Sequence, residues 1–135
     1  MKEAHIITFP SKGHRDEGFL HIIEQGYLPF PIQRIFYTMD TPAEVTRGGH
    51  AHHETEMVLI AVKGKITIRT ITIDGLSSTF TMQHPAEGLY LPKLCWHEMN
   101  YSKDAVQLVI CSTVYNEKDY IRDWAQFKSL LPSHG

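Results

Sequence analysis

At 135 residues the chain has the length of one domain, and its 42% hydrophobic content suffices for one core. Thirteen lysines and arginines oppose 15 aspartates and glutamates, so no excess of positive charge draws it to nucleic acid or to a membrane surface. Any anionic ligand must be met by individual arginines or lysines.

The N-terminal M-K-E-A-H-I-I-T-F-P lacks the apolar stretch of a secretory signal, and no run approaches membrane-spanning length. A cytoplasmic protein is expected. His5 to Phe9 reads as a strand. Alternating or β-branched runs follow at 33–39, 57–63, 65–73, 78–83 and 105–114. Turn chemistry separates them at Asp40-Thr41-Pro42, Lys63-Gly64-Lys65, Asp74-Gly75 and His84-Pro85 through Gly88. In K-I-T-I-R-T-I-T-I, Ile66, Ile68, Ile71 and Ile73 mark buried faces, and the phase change near Arg69-Thr70 predicts a bulge or bend. Cys95 and Cys111 lie in apolar stretches and are expected to be buried, reduced thiols.

Only the tail departs from the strand pattern. D-Y-I-R-D-W-A-Q-F-K-S-L-L places Ile121, Trp124, Phe127 or Lys128, and Leu131 at helical spacing. Asn116 is the expected N-cap, acidic residues fill the first turn, and Pro132 ends the segment. The expectation is an all-β single domain over 1–135, a sandwich or barrel with a short C-terminal helix packed outside it.

The chemistry concentrates in R-G-G-H-A-H-H-E-T-E-M, residues 47–57. In a regular strand His50, His52, Glu54 and Glu56 share one face, and His53 and Thr55 take the other. Val58, Ile60 and Val62 then continue the first face as an apolar wall, which describes a pocket inside a barrel. Burying so many polar groups is unfavourable unless they are paired or used. His53 alone is read as solvent-facing.

A second cluster is G-L-Y-L-P-K-L-C-W-H-E-M-N, residues 88–100. Together the two resemble the bipartite signature of the cupin superfamily, small jelly-roll β-barrels. His50, His52, Glu56 and Gly64 match its first half, and Pro92, His97 and Asn100 its second. Leu94 stands where the general pattern carries glycine. His50, His52, Glu56 and His97 have the types and spacing of a cupin metal site suited to iron, manganese or zinc.

A closer resemblance covers almost the whole chain. P-F-P-I-Q-R-I-F-Y-T-M-D-T (29–41), R-G-G-H-A-H, G-L-Y-L-P-K-L-C-W-H-E-M and Y-N-E-K-D-Y-I-R-D-W-A-Q-F (115–127) resemble the sugar 3,4-ketoisomerases. These act on dTDP-4-keto-6-deoxyglucose. Met57 and Lys93-Leu94-Cys95 depart from the pattern beside the matched residues. The resemblance implies a homodimer that uses no cofactor and no metal. It also implies a carbonyl moved between neighbouring sugar carbons, giving a 3-keto sugar for a later aminotransferase.

Two histidines two residues apart suit simultaneous proton transfers on carbon and on oxygen. His50 is assigned as the carbon base and His52 as the oxygen-side shuttle. Tyr37 matches a family active-site tyrosine, although its other reading is a strand aromatic in the core. Arg34 and Arg47 lie in matched segments and are assigned to the substrate diphosphate, with Arg69 and Arg122 as further candidates. Glu56 and His97 are expected to orient groups or wall the pocket, and Glu98 to face away. The strand at His5-Ile6-Ile7 is a candidate for pairing across the dimer. The alternatives are a metal-dependent cupin enzyme and a non-catalytic sugar-binding cupin.

Overall fold

Short β-branched runs separated by turn residues fold as antiparallel strands in a computed structural model, in which residues 3–132 are described. In chain order these are β1 (His5–Thr8), β2 (Ser11–His14), β3 (Gly18–His21) and β4 (Arg34–Met39). Then come β5 (Thr46–His52), β6 (Met57–Lys63), β7 (Ile66–Ile71) and β8 (Ser77–Met82). The last are β9 (Glu87–Leu91), β10 (Trp96–Tyr101), β11 (Val106–Cys111) and β12 (Tyr120–Ile121), followed by the helix α1 (Trp124–Lys128).

One five-stranded sheet runs β1-β9-β6-β11-β4, the other β12-β5-β10-β7-β8, and β2 pairs with β3 as a separate hairpin. The two large sheets form the expected jelly-roll barrel, filled by Met57, Leu59, Ile66, Ile68, Leu89 and Val109. Cys95 and Cys111 are buried, unpaired thiols in this core. β1 pairs with β9 of its own chain, with His5 opposite Tyr90. Among the described residues no helix is long and apolar enough to cross a membrane.

Three expectations change. Met57, Leu59 and Ala61 point into the barrel, whereas Val58 and Ile60 lie outside it against Phe9, Leu28 and Phe30. β6 is thus covered on both faces, and continuous hydrophobicity hides which face is inner. The phase change in β7 is not a bulge, because its ladders to β8 and β10 run unbroken through Arg69 and Thr70. Instead Ile71 packs outward on a third cluster of Ala51, Trp96, Ile121 and Phe127.

The third change is the tail. Asn116 caps only a 3-10 turn, Glu117–Asp119, and the chain then extends as β12. The helix starts after Asp123, whose side chain accepts from the Ala125 amide, and it spans five residues. Pairing with β5 defeats helical propensity here: Tyr120 lies opposite His52 and Ile121 opposite Ala51. The packing outside the barrel is as expected, but Phe127 is the buried residue and Lys128 is exposed.

Candidate active site

The cavity is opened by a defect in the ladder between β5 and β10. His97 lies opposite His50, but Glu98 lies opposite Gly48, so Gly49 is an extra residue. Strict alternation would set Arg47 and His50 on opposite faces; the bulge brings both inward, where they line the cavity with His52 and His97. Gly48 and Gly49 both have positive φ (84° and 72°), and a Cβ on Gly48 would lie 2.7 Å from the His97 carbonyl oxygen. The G-G pair is therefore a geometric requirement of the site.

His52 is 3% exposed, and its Nδ1 lies 3.0 Å from Asp119 Oδ2. The same carboxylate accepts from the Thr55 hydroxyl and, at Oδ1, from the Glu54 amide at 2.6 Å. Thr55 also contacts the Thr113 hydroxyl. Burial alone would raise the Asp119 carboxyl; bonds from Thr55, Glu54 and His52 outweigh it and hold Asp119 below its ordinary range. Burial lowers His52, against the opposing pull of Asp119. Leu94, at φ 54°, donates its amide to the His52 carbonyl at 2.7 Å. That left-handed turn is where the general cupin pattern has glycine. A non-glycine there costs about 1–2 kcal/mol, offset by packing of Leu94 against the cluster of Ala51, Trp96, Ile121 and Phe127.

The His50 ring sits 5.2 Å from His52, 4.7 Å from His97 and 5.1 Å from Tyr120, centroid to centroid. Burial first, then the nearby His97, His52 and Arg122, push His50 down to about 3. Burial brings His97 down to about 4, although its Nδ1 donates to the Cys95 carbonyl at 3.1 Å. Among the described residues, Nδ1 of His50 and Nε2 of His52 and His97 are buried without a hydrogen-bond partner. These nitrogens are free to accept or donate protons in the cavity.

The neutral burial of His97 predicts acid sensitivity. Its folded pKa of about 4 lies below the unfolded 6.5, so the unfolded chain binds more protons between those values. Stability is complete above pH 6.5 and is lost as pH falls towards 4, by roughly 3 kcal/mol from this ring. Urea unfolding across that range reads the slope, and His97→Gln is expected to flatten it.

The cationic residues divide. Arg47 and Arg122 line the cavity. Arg122 lies 4.1 Å over the Tyr120 ring and donates twice to Glu117, at 2.7 and 3.0 Å. Arg34 shares a strand face with the cavity-lining Phe36 and Thr38, with its guanidinium 5.7 Å from the Phe36 and Tyr115 rings. Its buried Nε has no hydrogen-bond partner among the described residues. Arg69 does not reach the site: it lies on the outer face of β7, donating to Asn100 at 2.8 Å and 3.8 Å from Glu98. Glu98 faces away, as expected.

Tyr37 and Glu56 also depart from expectation. Tyr37 alternates with Phe36 and Thr38, faces away from the cavity and is 68% exposed. A turn at His53 and Glu54 breaks the alternation after His52. Glu54 is left exposed, while Glu56 faces the outer cluster, accepting from the Tyr90 hydroxyl. The metal quartet of the alternative reading is not assembled, because Glu56 is on the opposite face from His50, His52 and His97. The residues present do not fit that metal site.

Asp119, Thr55 and Tyr120 are site residues that the sequence reading missed. D-Y-I-R was visible as a motif, but helical spacing concealed that Tyr120 pairs with His52.

Over residues 2–131 the chain matches the family described as FdtA: WxcM-like, C-terminal. It is 41% identical over 131 residues to the TDP-4-oxo-6-deoxy-alpha-D-glucose-3,4-oxoisomerase of Aneurinibacillus thermoaerophilus, covering 96% of this chain and 93% of that protein. A 3,4-ketoisomerase from Helicobacter canadensis superposes with a TM-score of 0.87 at 34% identity, over 96% of this chain and 98% of the other. A mutant 3,4-ketoisomerase from Thermoanaerobacterium thermosaccharolyticum, in complex with TDP-4-keto-6-deoxyglucose, gives 0.88 at 30% identity over 96% and 94%. With its histidine pair set in the same jelly-roll frame, the chain belongs to this WxcM-like FdtA family of nucleotide-sugar 3,4-ketoisomerases.

Proposed function

We propose that this enzyme acts on TDP-4-keto-6-deoxyglucose, moving the carbonyl from C4 to C3, in biosynthesis of a 3-amino-3,6-dideoxy sugar. The observation that carries the mechanism is the unequal setting of two imidazoles in one cavity: His50 held neutral, His52 seated on a carboxylate. The C4 ketone acidifies the C3 proton. His50 removes that proton while His52 delivers one to O4, leaving an enediol. His52 then takes the O3 proton, the carbonyl forms at C3, and His50 returns its proton to C4. Composition is unchanged, so carbonyl migration requires no external oxidant or reductant.

The two transfers assist each other. A proton on His52 disfavours one on His50, so giving it to O4 raises the basicity of His50 as C3 loses its proton. The cavity, about 210 Å³, is smaller than the ~300–1,000 Å³ of pockets for drug-sized ligands. It suits the sugar ring, with the diphosphate at the mouth beside Arg34, Arg47 and Arg122. Two buried free thiols accord with a reducing cytoplasm. The edge strand β4 exposes Ile35, Tyr37 and Met39, which accords with a homodimer.

The test is an NMR time course with TDP-4-keto-6-deoxyglucose in D₂O on exhaustively chelated protein. Conversion to the 3-keto isomer with deuterium entering the ring is expected. Activity lost on chelation and regained with iron or manganese would overturn this mechanism.

A further inference from the structure

We propose that Thr55 and Thr113 are positioning residues for the isomerisation, a hydroxyl chain that fixes the tautomer of His52 through Asp119. The inference rests on the ketoisomerase reading above and deepens it.

Asp119, 10% exposed at its side chain, accepts at Oδ1 from the Glu54 amide and at Oδ2 from Thr55. Held ionised by these bonds, it has no proton to give. The single hydroxyl proton of Thr55, a residue 2% exposed, must therefore point at Asp119. The Thr55 oxygen can then only accept from Thr113. The donor order is forced: Thr113 to Thr55, Thr55 to Asp119.

The consequence reaches the catalytic ring. An ionised Asp119 requires a proton on His52 Nδ1, so the neutral ring presents a bare Nε2 to the cavity. In that state it is ready to take the O3 proton, and when protonated it can supply O4. Removing the Thr55 hydroxyl deprives Oδ2 of one donor. The carboxylate can then rotate or take up a proton, and His52 can adopt the tautomer with Nε2 blocked. Thr55 and Thr113 do not line the histidine cavity, so their effect on His52 travels through Asp119.

The experiment combines ¹⁵N NMR of His52 with steady-state kinetics on Thr55→Val, Thr113→Val and Thr55→Ser. In Thr55→Val we expect a mixture of His52 tautomers and a kcat about tenfold lower, with KM within about twofold. Thr113→Val should shift both readouts in the same direction by about threefold, and Thr55→Ser should restore both. A purely structural role would lower stability and leave the tautomer alone. A single Nδ1–H tautomer in both valine variants overturns the proposal, whatever their activity. If Thr55→Val does not fold, Thr113→Val decides by the same two readouts. If the unaltered enzyme fails to convert TDP-4-keto-6-deoxyglucose, the ketoisomerase reading falls, while the tautomer measurement still judges the hydroxyl chain.

Discussion

Replacing His50 by asparagine is expected to lower kcat by about 10²–10⁴-fold while leaving substrate binding largely intact. Asparagine keeps a hydrogen-bonding group on the same strand face but can neither accept nor return a proton near neutral pH. Its effect on isotope exchange should differ from that of His52→Asn. Without His50 the C3 proton has no acceptor, so deuterium from D₂O should not enter the ring. Without His52 the carbon base remains, so slow exchange at C3 should persist although the carbonyl cannot migrate efficiently. The reverse pattern would exchange the roles of the two rings. Equal exchange in both variants would remove His50 and His52 from the carbon chemistry altogether. The assignment rests on the unequal settings of the two rings: His50 is pushed down to about 3, which keeps it an acceptor, while His52, also lowered by burial, has Asp119 against its Nδ1 to oppose that fall.

The histidine pair was legible because strand periodicity places residues two apart on one face, and β5 obeys that rule from His50 to His52. On either side of this pair the rule fails, for reasons that lie in other strands. Upstream, the extra Gly49 exists only relative to β10, so Arg47 could be linked to the cavity by motif but not by parity. Downstream, the turn at His53 and Glu54 redirects Glu56 to Tyr90. That single departure separates a metal-like spacing in sequence from the observed site. Tyr37 and Phe36 present the same ambiguity. Both are aromatic, and only the position of β4 beside β11 decides that Phe36 turns inward.

The local signals in the tail point to a longer helix, and each of them is sound by itself. Asn116 does cap a turn, acidic residues do follow, and Phe127 and Leu131 do pack inward. The two residues Tyr120 and Ile121 nonetheless extend, because pairing with β5 buries Ile121 and fills the cavity wall with Tyr120. Asp119 comes to His52 by the same pairing. No periodicity over the tail could report a bond that spans 67 residues.

Phe127→Ala should test how far the catalytic dyad depends on that tail. Phe127 is the buried residue of α1, with its ring 5.7 Å from Trp96 and 6.0 Å from Trp124. It packs with Ala51, which lies between His50 and His52, and with Ile121, which follows Tyr120. Truncation to alanine is expected to cost about 3–5 kcal/mol through lost burial and the cavity left behind. In a domain of this size that is a fall in melting temperature of roughly 10 °C or more. The functional consequence should exceed simple loss of folded protein. Among the described residues β12 pairs with β5 at two positions, Tyr120 with His52 and Ile121 with Ala51, and the Asp119 carbonyl before it accepts from the His53 amide at 2.9 Å. Loosening Ile121 lets Asp119 drift from Nδ1, so kcat measured well below the melting temperature should fall about tenfold. Phe127→Leu, which retains most of the buried volume, should recover both quantities in large part. A lower melting temperature with unchanged kcat would show that the helix stabilises the barrel without holding Asp119 against His52.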